Sequence, residues 1–170
     1  MRQMWMAAAA GTLVLAVASP LAAQTCTSNP CTVQVNASAT VIDVMRLTLS
    51  SALSDLGTPA EADYDAGYKD AAGPTATVKS NRPWHVDVVG NAGTFTYSGP
   101  NANPNKGAAD LEWGTVAGTY GNNMGASAAL FNGNGTGGSS QAIFFRTLWS
   151  WASDVAGSYS LTINFTLAAP

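Results

Sequence analysis

Residues 154–170 read DVAGSYSLTINFTLAAP, and this closing stretch carries the clearest fold signal in the chain. From Ser158 to Leu167 apolar and polar side chains alternate without interruption. The apolar set is Tyr159, Leu161, Ile163, Phe165 and Leu167. Such alternation predicts a β-strand with one buried face and one polar face. We expect the apolar face to pack against an opposing sheet.

The residues just before this strand form a candidate corner. Asp154, Gly157 and Tyr159 are spaced as in the corner where an immunoglobulin-type strand begins after crossing between sheets. In that corner the Tyr hydroxyl bonds back to the backbone and the Gly permits a tight turn. An ordinary turn–strand junction would have the same spacing, so both interpretations stay open.

Shorter alternating runs precede the closing stretch and are separated by turn-forming residues. The predicted strands cover residues 32–41, 44–50, 74–81, 84–90, 93–99, 110–116, 142–151 and 158–167. Asn91-Ala92-Gly93 suits a hairpin between the fourth and fifth of them. We expect loops over residues 50–74, with a brief helical turn, and over the Gly- and Asn-rich residues 118–140. The pattern predicts an all-β fold, an immunoglobulin-like or related Greek-key β-sandwich of about eight strands.

The N-terminus predicts export. Arg2, an apolar run and Ala22-Ala23 describe a signal peptide over residues 1–23, and no stretch is long enough for a transmembrane segment. Cys26 and Cys31 are the only cysteines and should form a disulfide within an N-terminal loop, residues 24–31. Residues 32–170 then form a single domain. The expected location is extracellular, at the cell surface or periplasmic.

Composition and residue types argue against several functions. Only 10% of residues are charged and the net charge is -3, which disfavours a nucleic-acid partner. His85 is the only histidine and no Ser lies in a G-x-S-x-G context, so we predict no enzyme activity, no catalytic residue and no cofactor. The acidic run from Glu61 to Asp70 is a solvated loop by default, with calcium binding as the alternative.

The layout resembles that of pilin-like, spore-coat-protein-U-like subunits of chaperone–usher surface fibres. The matching stretches are VQVNASATV (33–41), TVKSNRPWHVDV (77–88), the Gly-rich middle and GSYSLTINFTL (157–167). The tail is also similar to the distal motif of WxL-type cell-wall-binding domains, through Tyr159, Leu161-Thr162, Phe165-Thr166-Leu167 and Pro170. Phe165 stands where that motif has Trp. Both resemblances imply a secreted β-sandwich.

The predicted function is a non-enzymatic, surface-displayed structural subunit whose partners are copies of itself or related subunits. The first alternating stretch is a candidate assembly strand that would be donated to a neighbour, as in fimbriae. Its apolar positions are Val33, Val35, Ala37, Ala39 and Val41. An ordinary first strand of the same domain is the competing interpretation. The alternative function is a cell-wall- or carbohydrate-binding module with adhesive properties.

Overall fold

The computed structural model describes residues 25–135 and 137–170, and its secondary structure is almost entirely β. Ten strands and two short helices are present in these residues. The strands are β1 Met45–Leu49, β2 Tyr68–Ser80, β3 Trp84–Gly90, β4 Thr96–Ser98, β5 Leu111–Gly114, β6 Asn122–Asn123, β7 Ala128–Gly133, β8 Gly137–Leu148, β9 Ser158–Ser160 and β10 Ile163–Ala168. The helices are α1 Glu61–Ala66 and a 3-10 turn over Ala108–Asp110.

The strands form two main antiparallel sheets that enclose one apolar core. The larger sheet has the order β1-β2-β8-β5-β6 and the smaller has the order β10-β3-β7. A separate ribbon pairs β4 with β9. Side chains from both sheets meet in the interior, including Val78, Val86, Trp113 and Phe145. The predicted all-β sandwich is therefore confirmed, with ten strands where about eight were expected.

Period-two alternation located most inward faces correctly. Trp84, Val86 and Val88 are buried on one face of β3, while His85 and Asp87 lie on the other. In β5, Leu111 and Trp113 are likewise buried together. These faces follow from local sequence because successive strand side chains point to opposite sides of a sheet.

The closing stretch is broken into two strands, which corrects the prediction of one continuous strand. β9 pairs with β4, and β10 pairs with β3 after an interruption at Leu161-Thr162. The alternation continues across the break, so the sequence pattern gave no sign of it. The predicted hairpin between β3 and β4 is also wrong, because both sides of β3 are occupied by β10 and β7.

Two predicted loops contain strands. Within residues 118–140, Ala128–Gly133 forms β7 and places Leu130 in the core. β2 begins at Tyr68, inside the predicted loop 50–74, and passes through a register shift between Ala72 and Thr75. A Cβ at Gly73 would lie 2.5 Å from the Phe145 ring, so this irregularity lets the backbone lie directly on a core aromatic residue.

Contacts divide the chain into two units at the 40/41 boundary. The N-terminal unit, in the residues described from 25, contains no helix or strand, and Cys26 and Cys31 form a disulfide there. Residues 32–41 form no strand, so the first strand of an ordinary domain is not observed. The predicted signal peptide and its cleavage site lie outside the described residues. No helix in the described part of the chain is long and apolar enough to cross a membrane.

Candidate functional site

The sandwich has one side where the core is incompletely covered. β1 is bonded only to β2, and β10 only to β3, within the described residues. These two edge strands come within 8 Å of each other, one from each sheet. The inward side chains of both strands pack on the core but are only partly buried: Met45, Leu47, Leu49, Ile163, Phe165 and Leu167. We call this set the open side.

The partial exposure is confined to the two edge strands, because the inward side chains of the neighbouring strands β2 and β3 are buried. Val78 on β2 and Val86 and Val88 on β3 are completely buried, although each lies one strand away from the open side. The partly exposed side chains are therefore not explained by a loosely packed core. Among residues 25–135 and 137–170, no further strand lies beside β1 or β10, which leaves these side chains partly exposed.

A cavity of about 470 Å³ opens at one end of the open side. Leu49 of β1 and Phe165 of β10 line it, and Leu111 and Phe145 form its floor. The loop of residues 51–57 forms the outer wall, and it is held to β2 through a hydrogen bond from Ser54 Oγ to the carbonyl oxygen of Ala72 at 3.2 Å. The cavity therefore offers an apolar floor beneath a strand edge with unpaired backbone groups.

The candidate assembly strand is exposed in this structure. Val35 is 88% exposed and Val41 is 82% exposed, and Ala37 and Ala39 are exposed as well. Val33 is about half exposed. A run of alternating apolar side chains without cover is unusual for a folded chain, in which such patches mark interaction sites.

The hydroxyl of Tyr159 bonds back to the backbone, as the predicted corner requires. Tyr159 Oη donates to the carbonyl oxygen of Val155 at 2.7 Å and accepts from the amide of the same residue at 3.0 Å. Burial raises the pKa of Tyr159, so the hydroxyl stays protonated and able to donate. Gly157 also leaves room for a neighbouring aromatic ring, which its predicted role in a tight turn did not indicate. A Cβ there would lie 2.3 Å from the ring of Tyr97, which packs against this backbone.

Asp154, the third corner residue, holds a buried lysine that sequence reasoning missed. The Lys106 side chain is 2% exposed, and its Nζ lies 3.0 and 3.1 Å from the two carboxylate oxygens of Asp154. Nothing in the local sequence PNANPNKGAA distinguishes this lysine from a solvated one. Its burial follows from distant pairing, since the Lys106 carbonyl accepts from the amide of Phe95 at 2.8 Å.

The acidic run is dispersed among different partners. Asp63 caps α1 and pairs with Lys69 at 2.9 Å, whereas Asp70 pairs with Arg146. Asp65 accepts from the indole of Trp151 at 3.0 Å. Across the part of the chain that the structure describes, no group of three or more potential metal ligands was found.

His85 makes a surface contact. Its Nε2 lies 3.5 Å from Asp87, and each side chain is about one-third exposed. The contact joins two outward positions of β3.

The tryptophans divide into core and surface residues. Trp84 and Trp113 are buried, and Trp149 is 9% exposed. Trp151 is 64% exposed, and its ring stacks on Tyr64 with centroids 4.5 Å apart. Among the four tryptophans that the structure describes, Trp151, stacked on Tyr64, is therefore the one suited to stacking against a ligand ring.

No protein-family model matches this chain, and no curated protein is significantly similar to it in sequence. The resemblance to fibre subunits and WxL-type domains therefore rests on the residue patterns themselves. The open side is the geometric feature from which a function can be inferred.

Proposed function

We propose that this protein is a non-enzymatic structural subunit, exported to the cell surface, which assembles by strand exchange with copies of itself. The observation that carries the proposal is the coincidence of an open side on the sandwich and an exposed alternating segment, residues 32–41. In the described part of the chain no strand pairs with the outer edges of β1 and β10, and the segment 32–41 has the alternating pattern of a strand.

The edge of β10 and the segment 32–41 of a second copy can form backbone hydrogen bonds with each other. The outer edge of β10 presents amide and carbonyl groups that pair with nothing else among the described residues. An extended segment from a second copy would bond to that edge along its length, which is the general mode of strand addition. Main-chain bonds of this kind supply affinity with little dependence on side-chain identity.

The two partners also match in side-chain period. Alternate positions of the incoming segment would place Val33, Val35 and Val41 over the partly exposed Leu47, Ile163 and Phe165. Burying one valine side chain contributes about 1.5–3 kcal/mol. Polar Gln34, Asn36 and Ser38 would then point to solvent, as they do on an outer sheet face.

The decisive experiment separates donor from acceptor. Full-length protein and a variant lacking residues 24–41 are compared by size-exclusion chromatography with light scattering over a wide concentration range. We expect a concentration-dependent ladder for the full chain and monomer for the shortened one. A synthetic peptide of residues 32–42 should bind the shortened protein and slow its unfolding.

Matched peptides test the apolar face itself. A Val35→Asp peptide should lose binding, because the carboxylate would be buried over the core. A Ser38→Asp peptide carries the same added charge on the polar face and should keep binding. The proposal fails if the full chain is monomeric at all concentrations and the unchanged peptide of residues 32–42 does not bind the protein that lacks residues 24–41.

The alternative function, a cell-wall- or carbohydrate-binding module, is favoured by the exposed Trp151. Its ring is fixed by Tyr64 on one face and by the Asp65 carboxylate at the indole nitrogen. A fixed, exposed indole can stack on a sugar ring without much loss of side-chain entropy. Retention on peptidoglycan or polysaccharide that is lost in Trp151→Ala and kept in Tyr68→Ala would support this module. No retention and no change in Trp fluorescence would remove it.

A further inference from the structure

Lys106 and Asp154 form an ion pair in which both side chains are buried. The Lys106 side chain is 2% exposed and that of Asp154 is 5% exposed. The Trp149 ring covers the ammonium group, with Nζ 4.6 Å from the ring centroid. In such surroundings the charged pair has lost most of its hydration, which is costly for both groups.

A second carboxylate lies beside the pair. Asp110 Oδ2 is 3.5 Å from Lys106 Nζ, and its side chain is 40% exposed. One amine therefore contacts a buried carboxylate and a second, partly hydrated carboxylate that can exchange protons with water.

We propose that Lys106 and Asp154 condense into an intramolecular amide bond, with Asp110 as the proton relay. Both Asp154 oxygens lie about 3 Å from Nζ, so the amine is in direct contact with the carboxyl group that it would attack. The fold thereby holds an amine and a carboxyl group together at a high effective concentration.

The reaction balances without any added reagent. The Lys106 ammonium first gives a proton to the Asp154 carboxylate, leaving a neutral amine and a neutral acid. The amine lone pair forms the Nζ–Cγ bond. Asp110 takes a proton from Nζ and returns it to the Oδ1 hydroxyl, and the Cγ–Oδ1 bond then breaks with its electron pair. One water molecule leaves, and nothing is oxidised or reduced.

Hydrogen-bond partners for the transition state and the product are already in place. The amide of Ser150 donates to Asp154 Oδ2 at 2.8 Å, so it can stabilise negative charge that develops on that oxygen. The carbonyl oxygen of Leu148 lies 2.5 Å from Nζ and can accept from the N–H of the product. Condensation therefore replaces a buried ion pair with a neutral amide that keeps both polar partners satisfied.

The bond would tie the segment before the 3-10 turn to the corner before β9. That corner leads into β9 and, two residues after β9 ends, into β10, which borders the open side. The cross-link would therefore anchor β10, the strand to which a second copy would bond in the proposed assembly. Formation of the cross-link itself requires no second copy.

Peptide mapping by mass spectrometry tests the bond directly in the full chain. Trypsin cuts after Lys106 only when its amine is free, giving peptides 80–106 and 107–146. A condensed protein should instead yield peptide 80–146 joined to 147–170, one water molecule lighter than their sum. Lys69 and Asp63 provide an internal control, since they lie 2.9 Å apart but are about one-quarter exposed, and should remain unlinked.

Asp110→Asn separates the relay from the fold, because Asp110 lies at the surface. This variant should keep its far-ultraviolet circular dichroism and form the bond about 100-fold more slowly, as expected for loss of a general acid–base group. Lys106→Met should abolish the linked peptide. Free peptide 80–106 in the folded wild-type protein after prolonged incubation would overturn the proposal, and unchanged linkage in Asp110→Asn would overturn the relay.

Discussion

Tyr159 and Val155 are joined by two hydrogen bonds through a single hydroxyl group, which donates to the Val155 carbonyl at 2.7 Å and accepts from its amide at 3.0 Å. The two bonds close the turn that leads into β9. Because β10 follows β9 after two residues, this turn fixes where the last strand leaves the ribbon and joins the smaller sheet.

Tyr159→Phe removes both bonds and keeps the ring. The variant should lose about 1–3 kcal/mol of unfolding free energy, because two half-buried backbone groups of Val155 lose their partner. Urea denaturation followed by Trp fluorescence measures the loss. Tyr68→Phe is the control, since the ring of Tyr68 faces the Arg146 guanidinium at 3.7 Å on the outer face. Equal stability of the two variants would contradict the role of the corner.

Gly157→Ala should destabilise the protein by about 1–3 kcal/mol through overpacking. The added methyl group would lie 2.3 Å from the Tyr97 ring, whose hydroxyl is held by the Ala156 carbonyl at 2.8 Å and cannot move freely. Gly93→Ala is the matched control, because a Cβ at that position meets no atom within 4 Å. Thermal unfolding of the two variants measures the difference. A Gly157→Ala variant as stable as Gly93→Ala would contradict the predicted overpacking.

Phe165→Ala and Phe145→Ala should separate assembly from folding. Phe145 is completely buried, so its truncation should cost about 3–5 kcal/mol in the monomer. Phe165 is only partly buried at the open side, so its truncation should cost the monomer clearly less than that of Phe145 and yet weaken multimer formation. Denaturation and light scattering on both variants provide the two measurements. Unchanged assembly in Phe165→Ala would argue against the open side as the acceptor.

Asp70 should make a pH-dependent contribution to stability. Hydrogen bonding to Arg146, at 2.7 and 2.9 Å, is the main cause that lowers the pKa of Asp70 in the folded protein. A lowered folded-state pKa means that the stabilisation is present above the unfolded-state pKa and is lost as pH falls through the folded-state value. Since Asp70 is 40% exposed, the effect should stay below about 1 kcal/mol.

The test compares wild type with Asp70→Asn in urea at about pH 7 and about pH 2. The wild type should be the more stable protein at the higher pH, and the difference should vanish at the lower one. In the double variant Asp70→Asn with Arg146→Gln, the second change should remove no further pH dependence, because the pair is already broken. A pH-independent difference would assign the effect to packing instead.

Much of the fold is predictable from the sequence because side-chain direction in a strand is a local property. The inward faces of β1, β3 and β5 follow from period-two alternation alone. The order of strands within the sheets does not follow from alternation, because strand pairing depends on contacts between segments that are far apart in the chain. β4 follows β3 in the chain but pairs with β9, while both edges of β3 are occupied by β10 and β7.

The candidate site divides in the same way. The sequence by itself determined the alternating segment 32–41, the disulfide cysteines and the Asp154–Tyr159 spacing, each of which is carried by near neighbours in the chain. Only the tertiary structure decided that β1 and β10 are edges, that the closing run breaks at Leu161-Thr162, and that Lys106 is buried against Asp154. Burial and edge status depend on what the rest of the chain covers, and that is a property of long-range contacts that no local pattern encodes.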